Sequence, residues 1–109
     1  MDKTNNDEAQ DLMAIIHNKF PKLSKGQKLI SEYILKNYDK AAFMTAAKLG
    51  SSVGVSESTV VRFAIELGFS GYPSLQKSLQ ELIKNSLQLF KDLIYLTTIF
   101  VMDIHLKGF

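Results

Sequence analysis

The residues with the most chemistry to offer lie in the run Gly54-Val55-Ser56-Glu57-Ser58-Thr59-Val60-Val61-Arg62. Ser56, Ser58 and Thr59 bring hydroxyls, Glu57 a carboxylate and Arg62 a guanidinium, all within two helical turns. Hydroxyls can hydrogen-bond phosphate oxygens or base edges, and an arginine can pair with phosphate or with guanine O6 and N7. The N–H groups at the start of a helix favour a phosphate. Glu57 is open to two readings, an acceptor for cytosine N4 or a first-turn acid that steadies the helix dipole. Tyr72, beside Ser70 and Gly71, can set its hydroxyl on a nucleic-acid backbone. All of this is non-covalent recognition chemistry.

Catalytic groupings are not suggested. Gly50-Ser51-Ser52-Val53-Gly54 lacks the G-x-x-x-x-G-K-[ST] spacing of a phosphate-cradling loop. His17 reads as a surface or partly packed residue, and His105 belongs to the tail. Asp7, Glu8 and Asp11 read as first-turn and surface charges rather than a working carboxylate pair. The sequence contains no Cys and only those two histidines, so neither a disulfide framework nor a metal site is expected, and no cofactor. The chain is read as a non-enzyme.

The elements that must hold these groups follow from apolar spacing. In Ala46–Ile65, AAKLGSSVGVSESTVVRFAI, a short helix from Ala46 to about Ser52 precedes a turn at Gly54 and a longer helix from Glu57 to about Leu67. Thr45 and Ser56 are the expected N-caps, and Gly68 the glycine that closes the second helix. Leu49, Gly50, Val53, Val55, Val60 and Phe63 stand where two crossing helices need apolar or small residues. The absent side chain of Gly50 lets the helices approach, and Gly54 can take positive φ at the turn. The pattern is that of a helix-turn-helix, with a purely structural αα-corner as the alternative. Read as a helix-turn-helix, the exposed face of Glu57–Leu67 is the part that enters the major groove.

Flanking segments complete an all-α class, a bundle of about five helices. Leu12, Ile15, Ile16 and Phe20 form one helical stripe that stops at Pro21. Ser24 caps a second helix striped by Leu29, Ile30, Tyr33 and Ile34, with a break at Asn37–Asp39. A turn over Lys40–Met44 is expected to pack Phe43 inward. Ser74 is the expected cap of a last helix with Leu75, Leu79, Leu82 and Ile83 inward. Residues 1–8 are expected to be a flexible start, 9–90 the helix-turn-helix domain and 91–109 a hydrophobic tail. Ile94–Val101 suits a strand or a continued helix equally well.

Charge is distributed unevenly. The formal net charge of +2 over 109 residues conceals −3 in residues 1–18 and +5 in residues 19–48. Lys22, Lys25 and Lys28 lie in that basic block and can neutralise phosphates beside the reading helix, though a Lys-rich solvated face is the plainer reading of charge alone. The start MDKTNNDEAQD is acidic and unlike a secretory leader, and the lack of Cys fits a reducing compartment, so a cytoplasmic location is expected. Leu93–Met102 is too short for the roughly 20 apolar residues of a membrane span.

Three ordered stretches resemble the N-terminal domain of the RpiR/MurR family. They are Lys22-Leu23-Ser24 with Ile30, Tyr33 and Ile34; Gly54 through Phe63; and Leu67-Gly68-Phe69-Ser70-Gly71-Tyr72 ahead of Leu75, Lys77 and Leu79. The likeness covers about residues 10–85. It implies a wingless five-helix domain of a bacterial transcription regulator, binding double-stranded DNA and controlling sugar or amino-sugar catabolism. It also implies a following sugar-isomerase-type domain that binds a phosphosugar. Residues 88–109 carry no glycine- and serine-rich phosphosugar loop, so that effector is not expected on this stretch. The apolar tail asks for a partner, and helix one with Ser74–Phe90 and the tail is the expected homodimer contact. A protein-interaction or dimerisation module with the same fold is the competing function.

Overall fold

A computed structural model describes the backbone of residues 5–106 and the side chains of 12–104. Five α-helices follow in order: α1 (Asn5–Lys19), α2 (Lys25–Ala41), α3 (Ala46–Val53), α4 (Glu57–Glu66) and α5 (Tyr72–Leu106). A 3-10 turn, Phe20–Lys22, joins α1 to α2, and there is no strand among the described residues. The class is all-α, a helix-turn-helix bundle.

The helix starts follow hydroxyl chemistry. Ser24 accepts from the Gln27 N–H while the Gln27 side chain accepts from the Ser24 N–H, a reciprocal box that satisfies two end donors. Thr45 accepts from Lys48 N at 3.0 Å, and Ser56 from Thr59 N at 3.1 Å. α4 ends in a left-handed glycine, Gly68, at φ 101°. Its N–H bonds the Ile65 carbonyl and the Phe69 N–H the Ala64 carbonyl, the paired bonds of a Schellman stop.

The core joins Leu12 and Ile16 of α1, Ile30 and Ile34 of α2, Leu49 of α3, Val60 and Phe63 of α4, and Leu75 and Leu79 of α5, all fully buried. α1 lies along α5, α3 crosses α4, and α2 touches α3, α4 and α5. The expected break near Asn37 is a kink within α2, where Asn37 adopts φ −139°, ψ 42° and its amide donates to the Tyr33 carbonyl. Beyond the kink the chain turns Ala41 and Ala42 into the core. Phe43 consequently points outward and is 71% exposed, against the expectation that it packs inward. Leu29, placed on the apolar stripe, is also exposed, because Ile30 and Ile34 hold the inward face.

Two further differences concern α5. It begins at Tyr72, two residues before the expected cap Ser74, since Pro73 in a first turn loses no helical bond. It then runs unbroken through the tail, which settles Ile94–Val101 as helix. At 35 residues it is about 52 Å long. The radius of gyration is accordingly 18.1 Å, against about 13 Å for a compact domain of this size. The expected flexible start at 1–8 lies partly outside the described residues, and α1 is helical from Asn5.

Candidate nucleic-acid interface

Close approach of α3 and α4 is set by Gly50. A Cβ there would lie 2.7 Å from the Val55 carbonyl oxygen and 3.2 Å from Ser56 backbone atoms, so any side chain would push the turn away. The turn itself passes through Gly54 at φ 90°, where an L-residue is strained. Val60, Phe63 and Ala64 bury the inner face of α4. Its outer face then carries Glu57, Ser58, Arg62, Ile65 and Glu66, all exposed. Ser58, Arg62 and Ile65 follow at spacings of four and three, one stripe over two turns.

The hydroxyls at the start of α4 form a linked set. Ser56 Oγ lies 3.0 Å from Ser58 Oγ and 2.8 Å from Thr59 Oγ1, besides accepting from the Thr59 N–H. Ser56 and Ser58 are exposed and Thr59 is half-buried. Thr59 is half-covered because α2 abuts it. A Cβ at Gly26 would meet Thr59 Cγ2 and Val55 Cγ1, each at 3.4 Å. That contact brings the first turn of α2 beside the first turn of α4. Lys25 adjoins Gly26 and is exposed, as is Lys22 one turn earlier. Lys28 is half-buried, with its ammonium 5.5 Å from the centre of the Phe20 ring, so part of its charge is engaged within the protein.

Tyr72 is placed differently from the other expected site residues. It is 6% exposed, and its hydroxyl donates to the Met44 carbonyl at 2.6 Å. Burial pushes its pKa up from 10.0 to about 12. Gln76 donates to the carbonyls of Ala42 and Met44, and Gln80 to that of Ala42. Tyr72, Gln76 and Gln80, one turn apart on α5, thus hold the α2–α3 turn by its carbonyls. Tyr72 positions the helix-turn-helix rather than presenting a free hydroxyl.

Two contributors were missed in the sequence. Gly26 shows no local signal, because its contact lies across 33 residues of chain. Ile65 was legible, since it falls off the Val60–Phe63–Ala64–Leu67 stripe. Its 54% exposure puts an apolar group where a thymine methyl can be met.

The family model described as "Helix-turn-helix domain, rpiR family" matches residues 10–86. The HTH-type transcriptional regulator YfhH of Escherichia coli is 35% identical over 66 residues, 61% of this chain and 23% of the relative. The HTH-type transcriptional regulator HexR of Pseudomonas aeruginosa is 35% identical over 72 residues, 66% of this chain and 25% of the relative. A third such regulator, from Clostridium perfringens, is 31% identical over 64 residues, 59% and 23% of the two chains. The chain thus spans about a quarter of the length of the curated relatives it matches. No solved structure matches it. With a matched segment that contains α2 to α4 and the joined α3–α4 pair at its centre, the chain belongs to the rpiR family of helix-turn-helix domains, a DNA-binding module of transcription regulators.

Proposed function

We propose that this chain binds double-stranded DNA sequence-specifically as a homodimer and regulates transcription, with α4 as the reading helix. The observation that carries this reading is the outer stripe of α4. Ser58, Arg62 and Ile65 share one exposed face while Val60, Phe63 and Ala64 anchor the other. Such a face offers a hydroxyl, a bidentate donor and an apolar contact over one major-groove length. Arg62 carries direct readout, Ser56 and Thr59 sit at the phosphate-facing start of the helix, and Lys22 and Lys25 neutralise flanking phosphates. Glu57 acts as the first-turn acid, with Ser58 as its neighbour on the reading side. Lys28 adds charge to the same edge. Family membership supports genes of sugar or amino-sugar catabolism as the targets, and a cytoplasmic location follows from that role.

Selection of bound duplexes from genomic fragments with the purified protein tests the reading. A single recurrent motif is expected. On it, Arg62→Ala should weaken binding by roughly 10-fold or more and relax preference at one base pair. Retention of full affinity and preference by the Arg62 variant would remove it from the readout.

A further inference from the structure

Four hydrogen bonds from one face of α5 converge on two backbone carbonyls. Tyr72 donates to the Met44 oxygen at 2.6 Å, and Gln76 Nε2 to the Met44 and Ala42 oxygens at 3.0 and 3.2 Å. Gln80 Nε2 donates to the Ala42 oxygen at 3.0 Å. A carbonyl oxygen has two lone pairs, so both acceptors are filled.

Those carbonyls hold a particular place in the chain. α2 ends at Ala41 and α3 begins at Ala46, so they lie in the short link ahead of the helix pair. The N–H groups of Ala42, Phe43 and Met44 bond back to the carbonyls of Tyr38, Lys40 and Ala41, which ties the link to α2. The carbonyls tie it to α5. The Met44 carbonyl shares its peptide plane with the N–H of Thr45, the cap of α3, so fixing that plane fixes the direction in which α3 sets out. α3 in turn carries α4, because the Val55 carbonyl lies within 2.7 Å of where a Gly50 Cβ would be. A path of backbone contacts thus joins the α5 donors to the helix that bears Arg62.

Apolar burial has no direction. Leu49 and Phe63 set how deep the helix pair sits, whereas hydrogen bonds set its heading. Gln76 is half-buried and Gln80 exposed, so water can serve the carbonyls if these donors are lost. The two glutamines are therefore better placed to orient the helix pair than to hold the bundle together.

We infer that Gln76 and Gln80 are positioning residues for duplex readout, setting through the Ala42 and Met44 carbonyls the pose from which α4 presents Arg62. This deepens the proposed function and rests on it for the duplex.

A Gln76→Met, Gln80→Met variant tests it, since methionine keeps the length of the side chain and removes the donor. Its melting transition should fall by about 5 °C, and its sedimentation should match the wild type. Affinity for the duplex that the wild type selects should drop roughly 10-fold, with preference relaxed at the base pair Arg62 reads. The slope of log affinity against log salt should stay unchanged, because no phosphate contact is removed. Adding Arg62→Ala should then cost less than about 3-fold further, against roughly 10-fold in the wild type, because the two sites are coupled. A variant that melts lower yet binds and discriminates like the wild type overturns the inference and leaves the clamp purely structural. A loss that adds in full to that of Arg62→Ala overturns it too, and altered sedimentation overturns it in favour of a contact between copies. Where the double variant fails to fold, Gln80→Met alone keeps both Gln76 bonds and should show the same relaxation in smaller measure. Wild-type affinity and preference in that variant overturn the inference. A wild type that selects no duplex defeats the DNA reading and the inference with it. A wild type that selects a duplex which the variants bind equally well defeats the inference alone.

Discussion

At the residue scale, Tyr72 shows how a chemically capable side chain can be committed to architecture. Its hydroxyl donates to Met44, and burial lifts its pKa to about 12. A folded-state pKa above the unfolded value means that the folded chain holds the proton more tightly. The associated stability is therefore complete below pH 10 and lost as pH rises from 10 towards 12. Tyr72→Phe should cost about 1 kcal/mol at neutral pH, because one hydrogen bond goes while Gln76 still serves the Met44 carbonyl. Chemical denaturation at several pH values should show the gap between variant and wild type narrowing above pH 10. Ser56, by contrast, is exposed and acts through its cap. Ser56→Ala should lose about 1 kcal/mol in the same measurement, with the start of α4 loosened.

At the element scale, the placement of α4 depends on backbone approach rather than on its own propensity. Gly50→Ala would set a Cβ 2.7 Å from the Val55 carbonyl, a backbone atom that cannot swing aside. Destabilisation of about 1–3 kcal/mol is expected, measured by thermal melting, along with weakened duplex binding as α4 shifts. Most of this unit was legible in the sequence. Thr45, Ser56 and Gly68 announced the caps by residue type, and Gly54 its positive φ. Those signals are local, each a residue acting on backbone within five positions. The clamp of Tyr72, Gln76 and Gln80 on the α2–α3 turn was not legible, because its partners lie 28 to 38 positions away. Phe43 misled for a related reason. Its hydrophobicity argued for burial, whereas the kink at Asn37 decided which side of the following turn faced inward.

At the scale of the whole molecule, basic and apolar regions are divided along the long axis. The +5 block of residues 19–48 includes the exposed Lys22 and Lys25, the latter next to Gly26, whose backbone packs against Thr59 at the start of α4, while an exposed apolar row lies on the far half of α5. Duplex affinity should therefore fall steeply with salt. The slope of log affinity against log salt should shrink by about 1 on Lys25→Ala, with base preference unchanged. Titration from low to physiological salt checks both statements. Among the described residues no helix is long and apolar enough to cross a membrane.

The sequence by itself determined the all-α class, the starts of α2, α3 and α4, the glycine stop of α4 and the face of α4 that looks inward, because caps, glycine turns and apolar periodicity are short-range physics. It also carried the family resemblance, through residues at the start of α2, in the α3–α4 pair and around the start of α5. Tertiary structure alone decided three things. It set the first turn of α2 beside that of α4 through Gly26, and withdrew Tyr72 to the α2–α3 turn. It also carried α5 past the bundle, leaving Leu87–Ile104 uncovered. Each depends on which distant surfaces meet, and a chain's local preferences do not contain that information until the core has closed.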